Sequence, residues 1–395
     1  MIIDRYKIRE QNETLVLSTI IQHSLISRAS ISQLTGLNKA STSAIVKDLI
    51  DESLVIEIGT GDSTSAGGRK PILLSLNKAS GYSLSIDLGY DYISSMLTNL
   101  YGEIVEQNKE RNTFVRIENV IEKVTAIVES YRTYYEGSTF QLVGLTLAIH
   151  GIVDENRIVF TPYYDLDQMD LAKKLHEQLQ IPVYVENEAN LTALAETSFS
   201  SFKPNLVSIS IHSGIGAGII MNGELYYGHN GQSGEIGHMI LYPNGLTCPC
   251  GNRGCIEQYC SEKAVVSQYR QLKKNKELSL NDLAQDYMNG DESATALVER
   301  AALEISIGIR NIISGFAPEV VYINSPLTRK LPFMLDLIDS HVSSKFSKDV
   351  PILASELGSK ASLLGAAVMN LQNFFNIPNL YLSKEPEVMA EVSSL

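Results

Sequence analysis

The 395-residue sequence lacks the features of a membrane protein, a secreted protein or a disordered chain. It contains no run of about 18 apolar residues, roughly the length that a membrane-spanning helix requires. The N-terminus is mixed and charged rather than basic and then apolar, so we expect a cytoplasmic protein with no membrane partner. Low-complexity tracts are absent. A content of 44% hydrophobic and 19% charged residues is typical of folded domains, of which this length suggests two or three.

Cysteine is also scarce, and all four cysteines lie between Cys248 and Cys260. Such crowding does not suit disulfides that staple a large domain, and it favours a metal site in a reducing compartment. His238 together with Cys248, Cys250 and Cys255 supplies the four ligands of a tetrahedral, structural Zn²⁺ site, with no position left for a reactive water. Free thiols in a loop are the alternative. Cys260 is predicted to be a buried apolar thiol rather than a fifth ligand.

A large positive charge is missing as well, because the net charge is −13. The charge is unevenly distributed: residues 1–80 contain nine Lys and Arg against eight Asp and Glu, whereas the remainder contains 23 against 37. An acidic surface repels nucleic acid. Any DNA contact therefore has to come from local patches within the first 80 residues.

Those first residues contain a pattern of three helices. Apolar residues at helical spacing predict a helix over 14–22, and Ser30 is a candidate N-cap for a second helix over 31–34. A tight turn at 35–37 leads to an amphipathic third helix over 39–52, which starts with a cluster of small polar residues. This arrangement predicts a helix-turn-helix, with an unrelated small helical bundle as the alternative.

The continuation of the chain favours a winged form of this motif. Strands are predicted at 54–58 and 71–76, on either side of a Gly- and Ser-rich hairpin tip. In this interpretation the third helix enters the major groove, and the two cations at the tip contact phosphates or the minor groove. The residues predicted to bind DNA are Asn38, Lys39, Ser41, Thr42, Ser43, Lys47, Arg69 and Lys70.

The remainder of the chain repeats a scheme of strands. Strands predicted at 82–88 and 92–98 are followed by a hairpin, and strands at 206–210 and 217–221 are followed by a similar one. A β-β-β-α-β-α half used twice predicts two lobes that face each other across a cleft. The predicted domains are a DNA-binding domain (1–80), a first lobe (81–195, with a C-terminal helix at about 361–376), a second lobe with the zinc site (196–360) and a tail (377–395).

Two pairs of polar residues are candidates for the cleft. Glu235 and Glu257 flank the predicted zinc site, so that one metal would aim both carboxylates into the cleft to accept hydrogen bonds from sugar hydroxyls. Asn187 and Glu188 follow a predicted strand at 183–185 and open a helix, a position at which α/β folds bind ligands. The alternatives are solvated surface acids for the first pair and a helix N-cap for the second.

Several motifs together give the chain a family resemblance. They are Ser-Gly-Ile-Gly-Ala-Gly at 213–218, Gly-Glu-Ile-Gly-His at 234–238, Cys-x-Cys-Gly-x-x-Gly-Cys-x-Glu at 248–257 and Gly-Gly-Arg at 67–69. With them, the sequence resembles the repressor branch of the ROK family (repressors, open reading frames and sugar kinases) over nearly its whole length. The resemblance implies an α/β chain in which a winged helix-turn-helix precedes an actin-like (ribonuclease H-like) two-lobed ATPase/sugar-kinase fold. It also implies that a sugar lies in the cleft and that His238 serves both zinc and sugar. The sugar-binding residues carried over by this match are Gly151, Asn187, Glu188, Glu235, His238 and Glu257.

Two departures from the kinases of this family argue against an enzyme. Where ROK kinases have an Asp-x-Gly-Gly-Thr phosphate loop, this chain has Asp-Leu-Gly-Tyr-Asp at 87–91, and the added carboxylate repels polyphosphate. Glu188 replaces the kinase general base Asp, and its extra methylene displaces the carboxylate from the position needed for proton transfer. An intact second glycine loop at 214–218 keeps an ATP-dependent sugar kinase as the alternative.

The resulting hypothesis is a sugar-responsive repressor of carbohydrate-utilisation genes. Its expected partners are operator DNA and a small-molecule sugar effector, and its expected cofactor is structural Zn²⁺. Family likeness and the symmetry of operators imply a homodimer or homotetramer. A repressor that is controlled by a protein partner is a further alternative.

Overall fold

The computed structural model describes residues 5–61, 70–162, 164–200 and 203–382, except for the side chains of residues 5 and 6. Within these ranges the chain forms an N-terminal unit followed by two lobes, each built on a five-stranded sheet. No helix of the described part is long and apolar enough to cross a lipid bilayer.

The N-terminal unit combines three helices with a three-stranded antiparallel sheet of order β1-β3-β2. Ile31, Val46 and Leu74 are fully buried where the helices and the sheet meet. The predicted order of three helices and two pairing strands is confirmed, while Arg69 and the rest of 62–69 lie outside the described ranges. The elements are α1 (Arg5–Gln22), β1 (Ile26–Ser27), α2 (Arg28–Thr35), α3 (Lys39–Asp51), β2 (Val55–Thr60) and β3 (Ile72–Leu76).

The start of α2 differs from the prediction. The helix begins at Arg28, and its N-cap is Ser27 rather than Ser30. The Ser27 hydroxyl accepts a hydrogen bond from the backbone N–H of Ser30 at 3.1 Å. Both serines are good cap residues, and strand β1, which holds Ser27 in extended backbone, selects the first.

The first lobe is a mixed sheet with helices packed on it. Its strands pair in the order β10-β7-β4-β5-β6. Its elements are β4 (Tyr82–Leu88), β5 (Tyr92–Asn99), β6 (Ile104–Arg111), α4 (Val120–Ser130), α5 (Arg132–Tyr135), β7 (Leu142–Ile149), β8 (Ile152–Asp154), β9 (Arg157–Phe160), α6 (Leu171–Leu179), β10 (Val183–Asn187) and α7 (Glu188–Phe199).

The second lobe repeats this plan and adds a long helix. Its strands pair in the order β13-β12-β11-β14-β15. Its elements are β11 (Leu206–Ile211), β12 (Ile215–Met221), β13 (Glu224–Leu225), α8 (Glu257–Cys260), α9 (Glu262–Lys273), α10 (Leu280–Met288), α11 (Glu292–Phe316), β14 (Val320–Asn324), α12 (Pro326–Lys330), α13 (Met334–Val342) and β15 (Ile352–Ala354). The helix that follows in the chain, α14 (Ala361–Phe375), packs on the sheet of the first lobe.

The two sheets have the same topology. Strands β4 and β11 occupy equivalent central positions, because each pairs antiparallel with the next strand of the chain and parallel with a strand that follows a helical segment. The repeat predicted from the sequence is therefore confirmed. The carboxyl ends of β7, β10 and β11 open onto the space between the lobes.

A pair of helices lies between the sheets. Helix α14 packs against β4 and β7, helix α7 packs against β11 and β12, and the two helices pack against each other. All residues of α7 from Glu188 to Ser198 are buried. At the crossing, a Cβ atom on Gly365 would lie 1.7 Å from the carbonyl oxygen of Leu191. Glycine is therefore required for this approach.

The N-terminal unit is attached directly to the lobes. The backbone N–H of Leu100 donates to the carbonyl of Lys78 at 3.0 Å, and the Lys78 ammonium pairs with Glu103 at 2.7 Å. After α14, the side-chain amide of Asn376 donates to Glu10 of α1 at 3.0 Å. The core of this unit and the buried face of α14 belong to one continuous apolar cluster.

Candidate functional site

The predicted metal ligands come together in the second lobe. The ligand atoms of His238, Cys248, Cys250 and Cys255 all lie within 4.8 Å of one another. The Cys250 and Cys255 sulfurs are 3.7 Å apart, and the Cys248 sulfur is 3.5 Å from Nδ1 of His238. A tetrahedral ion with bonds of about 2.1–2.3 Å places its ligands about 3.5–3.8 Å apart, so the four residues fit one metal ion.

A tight knuckle brings these ligands together. The backbone N–H of Gly251 donates to Cys248 at 3.0 Å, and that of Cys248 donates to Asn252 at 2.9 Å. Gly254 has a φ of +89°, and a Cβ atom there would lie 1.8 Å from the carbonyl oxygen of Tyr242. The local sequence carries this information, because glycine tolerates both the left-handed conformation and the close approach.

Cys260 has the role that the sequence predicts. It is fully buried, and its thiol donates to the carbonyl of Ile256 at 3.4 Å. It is not among the clustered ligands. Its sulfur is therefore part of the core of the second lobe.

All six predicted sugar-binding residues line one cavity between the lobes. The cavity contains about 710 Å³ of space, including the part open to solvent. The lining residues used below are Gly151, Asn187, Glu188, Glu235, His238 and Glu257, together with His150, Ser210 and His212, which the sequence reasoning did not select.

On the first-lobe side, Asn187 is both an N-cap and a cleft residue. Its side-chain oxygen accepts from the backbone N–H groups of Ala189 at 2.8 Å and Asn190 at 3.2 Å, so the N-cap alternative is confirmed. Its amide nitrogen donates to the carbonyl of Gly151 at 2.7 Å. Asn187 thus ties the strand end of β7 to the start of α7.

The Glu188 side chain, which lines the cavity, is held by hydroxyl groups. Thr192 and Ser210 donate to its Oε1 at 3.2 and 3.3 Å. Burial raises the pKa of the Glu188 carboxyl, and the charge of His150 and these hydrogen bonds offset only part of that effect. Glu188 is therefore placed to exchange hydrogen bonds with a ligand from a fixed rotamer.

On the second-lobe side, the metal cluster and two carboxylates are in direct contact. Oε2 of Glu235 lies 3.7 Å from Nε2 of His238, while Nδ1 of the same ring faces the cysteines. Oε1 of Glu257 lies 3.2 Å from the Cys248 sulfur. Burial raises the pKa of Glu235, and Glu257 adds to the effect, while His238 opposes it. One metal would thus orient both carboxylates at the cavity.

The charge of the lining defines the ligand that the cavity suits. Three of the lining residues are carboxylates, and none of the described lining residues is Lys or Arg. Burial lowers the pKa of His212 to about 3, so this imidazole is neutral at physiological pH. An uncharged ligand with several hydroxyl groups suits such a lining better than an anion does.

An ion pair that the sequence analysis missed adjoins the cavity, because His150 lines it. Nε2 of His150 is 2.8 Å from Oδ1 of Asp87. Tyr92 and Ser362 also donate to this carboxylate, at 3.2 and 3.1 Å. The sequence does show a polar residue, His150, directly after the apolar strand β7. Its partner Asp87 is 63 residues away in sequence, so the pair itself was not visible.

The predicted DNA-binding residues of α3 are exposed, with two exceptions. Ser41 is half-buried. Thr42 is fully buried, and its hydroxyl donates to the carbonyl of Asn38 at 3.1 Å. The prediction that Thr42 contacts DNA is therefore wrong, because its side chain packs inside the unit. The exposed members of the set are Asn38, Lys39, Ser43, Lys47 and, beside β3, Lys70.

The polar side chains of this unit differ in whether they bond to partners within it. The Asn38 oxygen caps α3 by accepting from the backbone of Ser41 at 2.8 Å. Arg9 and Arg28 pair with acids of the same unit, Glu13 and Glu57. Lys39 and Lys47 form no ion pair with any residue in the described ranges.

Known proteins are similar to this chain over most of its length. Residues 83–373 match the ROK family. The xylose repressor of Bacillus subtilis (strain 168) is 36% identical over 383 residues, which cover 95% of this chain and 99% of that protein. The N-acetylglucosamine repressor of Escherichia coli O6:H1 is 24% identical over 376 residues, covering 90% of this chain and 91% of that protein.

Solved structures show the same likeness. A ROK family transcriptional regulator, a homolog of the E. coli MLC protein, superposes with a TM-score of 0.80 and 26% identity, covering 93% of this chain and 97% of its own. A ROK family glucokinase from Streptomyces griseus, in complex with glucose and AMPPNP, superposes with a TM-score of 0.64 and 25% identity, covering 73% of this chain and 99% of its own. The predicted resemblance is confirmed, and the chain belongs to the ROK family.

Proposed function

We propose that this chain is a sugar-responsive transcriptional repressor that binds operator DNA through its N-terminal unit and a sugar through the interlobe cavity. The observation that carries the proposal is a difference in coverage. The glucokinase matches along nearly its full length yet leaves about a quarter of this chain unmatched, whereas the transcriptional regulator and the xylose repressor match almost the whole chain. This chain therefore matches the regulators over nearly its whole length, and the kinase over only about three quarters of it.

The N-terminal unit has the properties that DNA binding requires. Its three helices and paired strands follow the order of a winged helix, and in the proposed docking α3 enters the major groove. Lys39 and Lys47 are exposed, and neither is neutralised by an acid in the described ranges, so both charges are available to phosphates. Two copies of the unit would bind a pseudo-palindromic operator, which supports a homo-oligomer.

The cavity and the metal cluster supply the sensor. We assign Zn²⁺ to the Cys₃His cluster, because this ligand set suits zinc and leaves no position for a catalytic water. Its role is structural: the four ligands hold the knuckle, and the knuckle holds Glu235 and Glu257 at the cavity. In the proposal a sugar lies between these carboxylates and the Asn187–Glu188 corner, and its binding weakens the hold on DNA.

The surroundings of Asp87 and Gly89 support a sensor without phosphoryl transfer. In the proposal Asp87 does not serve a nucleotide, because His150, Tyr92 and Ser362 all bind its carboxylate. The ring of Tyr92 lies against Gly89, where a Cβ atom would be 2.2 Å from it. The backbone that would have to approach phosphate is thereby covered by an aromatic ring.

Selection of DNA by the purified protein tests the proposal. We expect the protein to enrich a two-fold symmetric sequence from a random duplex library, and we expect D-xylose, D-glucose or N-acetyl-D-glucosamine to release that sequence. Release should be independent of Mg-ATP, and the sugar should be recovered unphosphorylated. Failure to enrich any sequence, or consumption of ATP with a sugar, would contradict the repressor assignment.

The double substitution Lys39→Ala and Lys47→Ala tests the docking of α3. If each lysine contacts one phosphate, the plot of log affinity against log salt should become shallower by roughly 2. The affinity for all DNA sequences should fall together, because phosphate contacts carry no sequence information. The measurement is fluorescence anisotropy at several salt concentrations. Lys276→Ala, an exposed change in the second lobe, is the control, and an unchanged slope in the double variant would place α3 away from DNA.

A further inference from the structure

We propose that His150 is a seventh sugar-binding residue, which donates a hydrogen bond to the ligand through Nδ1 while Asp87 positions its ring. The inference rests on the proposed function of the cavity as a sugar site. His150 follows strand β7, immediately before Gly151, and its side chain lines the cavity.

The ring of His150 is fixed from several sides. Its Nε2 lies 2.8 Å from Asp87, whose carboxylate is itself held by Tyr92 and Ser362. The Tyr92 ring meets the imidazole edge to face, with centroids 6.3 Å apart and an interplanar angle of 82°. The backbone N–H of His150 donates to the Tyr164 hydroxyl at 2.9 Å. The ring therefore stays in one orientation without a ligand.

This orientation leaves one ring nitrogen for the ligand. Nε2 is engaged by Asp87, and no group in the described ranges bonds Nδ1. Since a histidine that bonds a carboxylate through one nitrogen presents the other to its second partner, Nδ1 is the atom available at the cavity. The His150 side chain is 16% exposed and lines the cavity, so a bound sugar hydroxyl can reach this nitrogen.

The chemistry of the cavity explains why a donor is needed there. When they are ionised, Glu188, Glu235 and Glu257 can only accept hydrogen bonds, so each would accept one from the O–H of a sugar hydroxyl. The oxygen of the same hydroxyl then remains free to accept. A cationic imidazole is the complementary group, and bonds from charged donors are the stronger ones.

The surrounding charges favour the protonated ring. Burial lowers the pKa of His150, but the charge and hydrogen bond of Asp87 and the charge of Glu188 outweigh it, so the pKa lies above the ordinary histidine value. Lys109 opposes the rise, and the nearby His212 is neutral. Burial raises the pKa of Asp87, but His150, Ser362 and Lys109 together outweigh that effect and lower the pKa below its ordinary value, which favours the ionised carboxylate.

The variants His150→Phe and His150→Asn test the donor. We first measure binding of D-xylose, D-glucose and N-acetyl-D-glucosamine to the wild type by calorimetry, and then use the sugar that binds most tightly. Phe keeps a ring without a donor, so its affinity should fall about 10- to 100-fold, the loss expected for a bond from a charged donor. Asn can present an amide N–H near the position of Nδ1, and should recover part of the loss.

Asp87→Asn tests the positioning role. Without the carboxylate, the His150 pKa should fall, because the charge and hydrogen bond of Asp87 raise it. Nitrogen-15 NMR of labelled histidine at several pH values, assigned with His150→Phe, should show that the His150 ring loses its proton at a lower pH in Asp87→Asn than in the wild type. Because binding requires the protonated ring, affinity in this variant should be restored as the pH is lowered toward 5.5, relative to wild type at each pH.

The possible failures are distinguishable. A wild type that binds no sugar would overturn the sugar-sensor function and this inference with it. A wild type that binds sugar, with a folded His150→Phe variant that binds it equally well, would overturn the inference alone. Melting temperatures identify misfolding; if His150→Phe misfolds, His150→Asn and Asp87→Asn decide the matter, and wild-type affinity in both across the pH range would refute it.

Discussion

Cys250→Ser is expected to remove zinc from the purified protein and to weaken sugar binding by at least about tenfold. A serine hydroxyl does not replace a thiolate, and a structural zinc in a peptide contributes roughly 10–16 kcal/mol to folding of its site. Cys250 is exposed to solvent, so outside the metal cluster the substitution disturbs little packing. Loss of the metal would free the knuckle, and with it Glu257, which contacts Cys248 at 3.2 Å. The measurements are metal content per chain and calorimetry with sugar.

A matched cysteine provides the control for this prediction. Cys260→Ser changes the same atom in a buried residue of the adjacent helix α8, outside the ligand cluster. Zinc content should remain one ion per chain in this variant. If Cys250→Ser keeps its zinc, or if the wild type contains none, the assignment of the cluster to zinc is wrong.

Gly365→Ala is expected to destabilise the protein by roughly 3 kcal/mol, the upper range for overpacking a well-packed core. The added methyl group would lie 1.7 Å from the Leu191 carbonyl oxygen, so α7 and α14 would have to separate. The intrinsic preference of helices for alanine, about 1 kcal/mol, acts in the opposite direction. Chemical denaturation monitored by circular dichroism measures the net effect.

Gly315 is the natural comparison. It also lies inside a helix, α11, but a Cβ atom there would meet no other atom within 4 Å. Gly315→Ala should therefore leave stability unchanged or raise it by up to about 1 kcal/mol. Equal effects at the two positions would show that the close approach of α7 and α14 is not what constrains residue 365.

These two glycines show what sequence reasoning can and cannot reach. Both lie in helical patterns, and no local feature distinguishes the one at a helix crossing from the one at the surface. By contrast, the predicted strands at 82–88 and 206–210 match β4 and β11 to within one residue, because a short apolar run bounded by turns is a local signal. Local patterns predict elements well and predict tertiary proximity poorly.

The candidate site divides in the same way. The metal cluster is visible in sequence because three of its four ligands lie within eight residues and their spacing is dictated by ion geometry. The prediction for Thr42 is wrong because consecutive residues at the start of a helix point to different faces, and only the packing shows which face is buried. His150 is missed because its significance depends on Asp87, which the chain brings close only after folding.

The attachment of the N-terminal unit has a practical consequence for protein engineering. Its core is continuous with the cluster that includes α14, and Glu10 is bound to Asn376 at the other end of the described chain. A chimera that joins this unit to another sensor at residue 80 would expose apolar surface and leave Glu10 without its partner. Transplanting the specificity of this protein therefore requires moving the end of α14 along with the first 80 residues, so that the boundary follows the packing and not the chain.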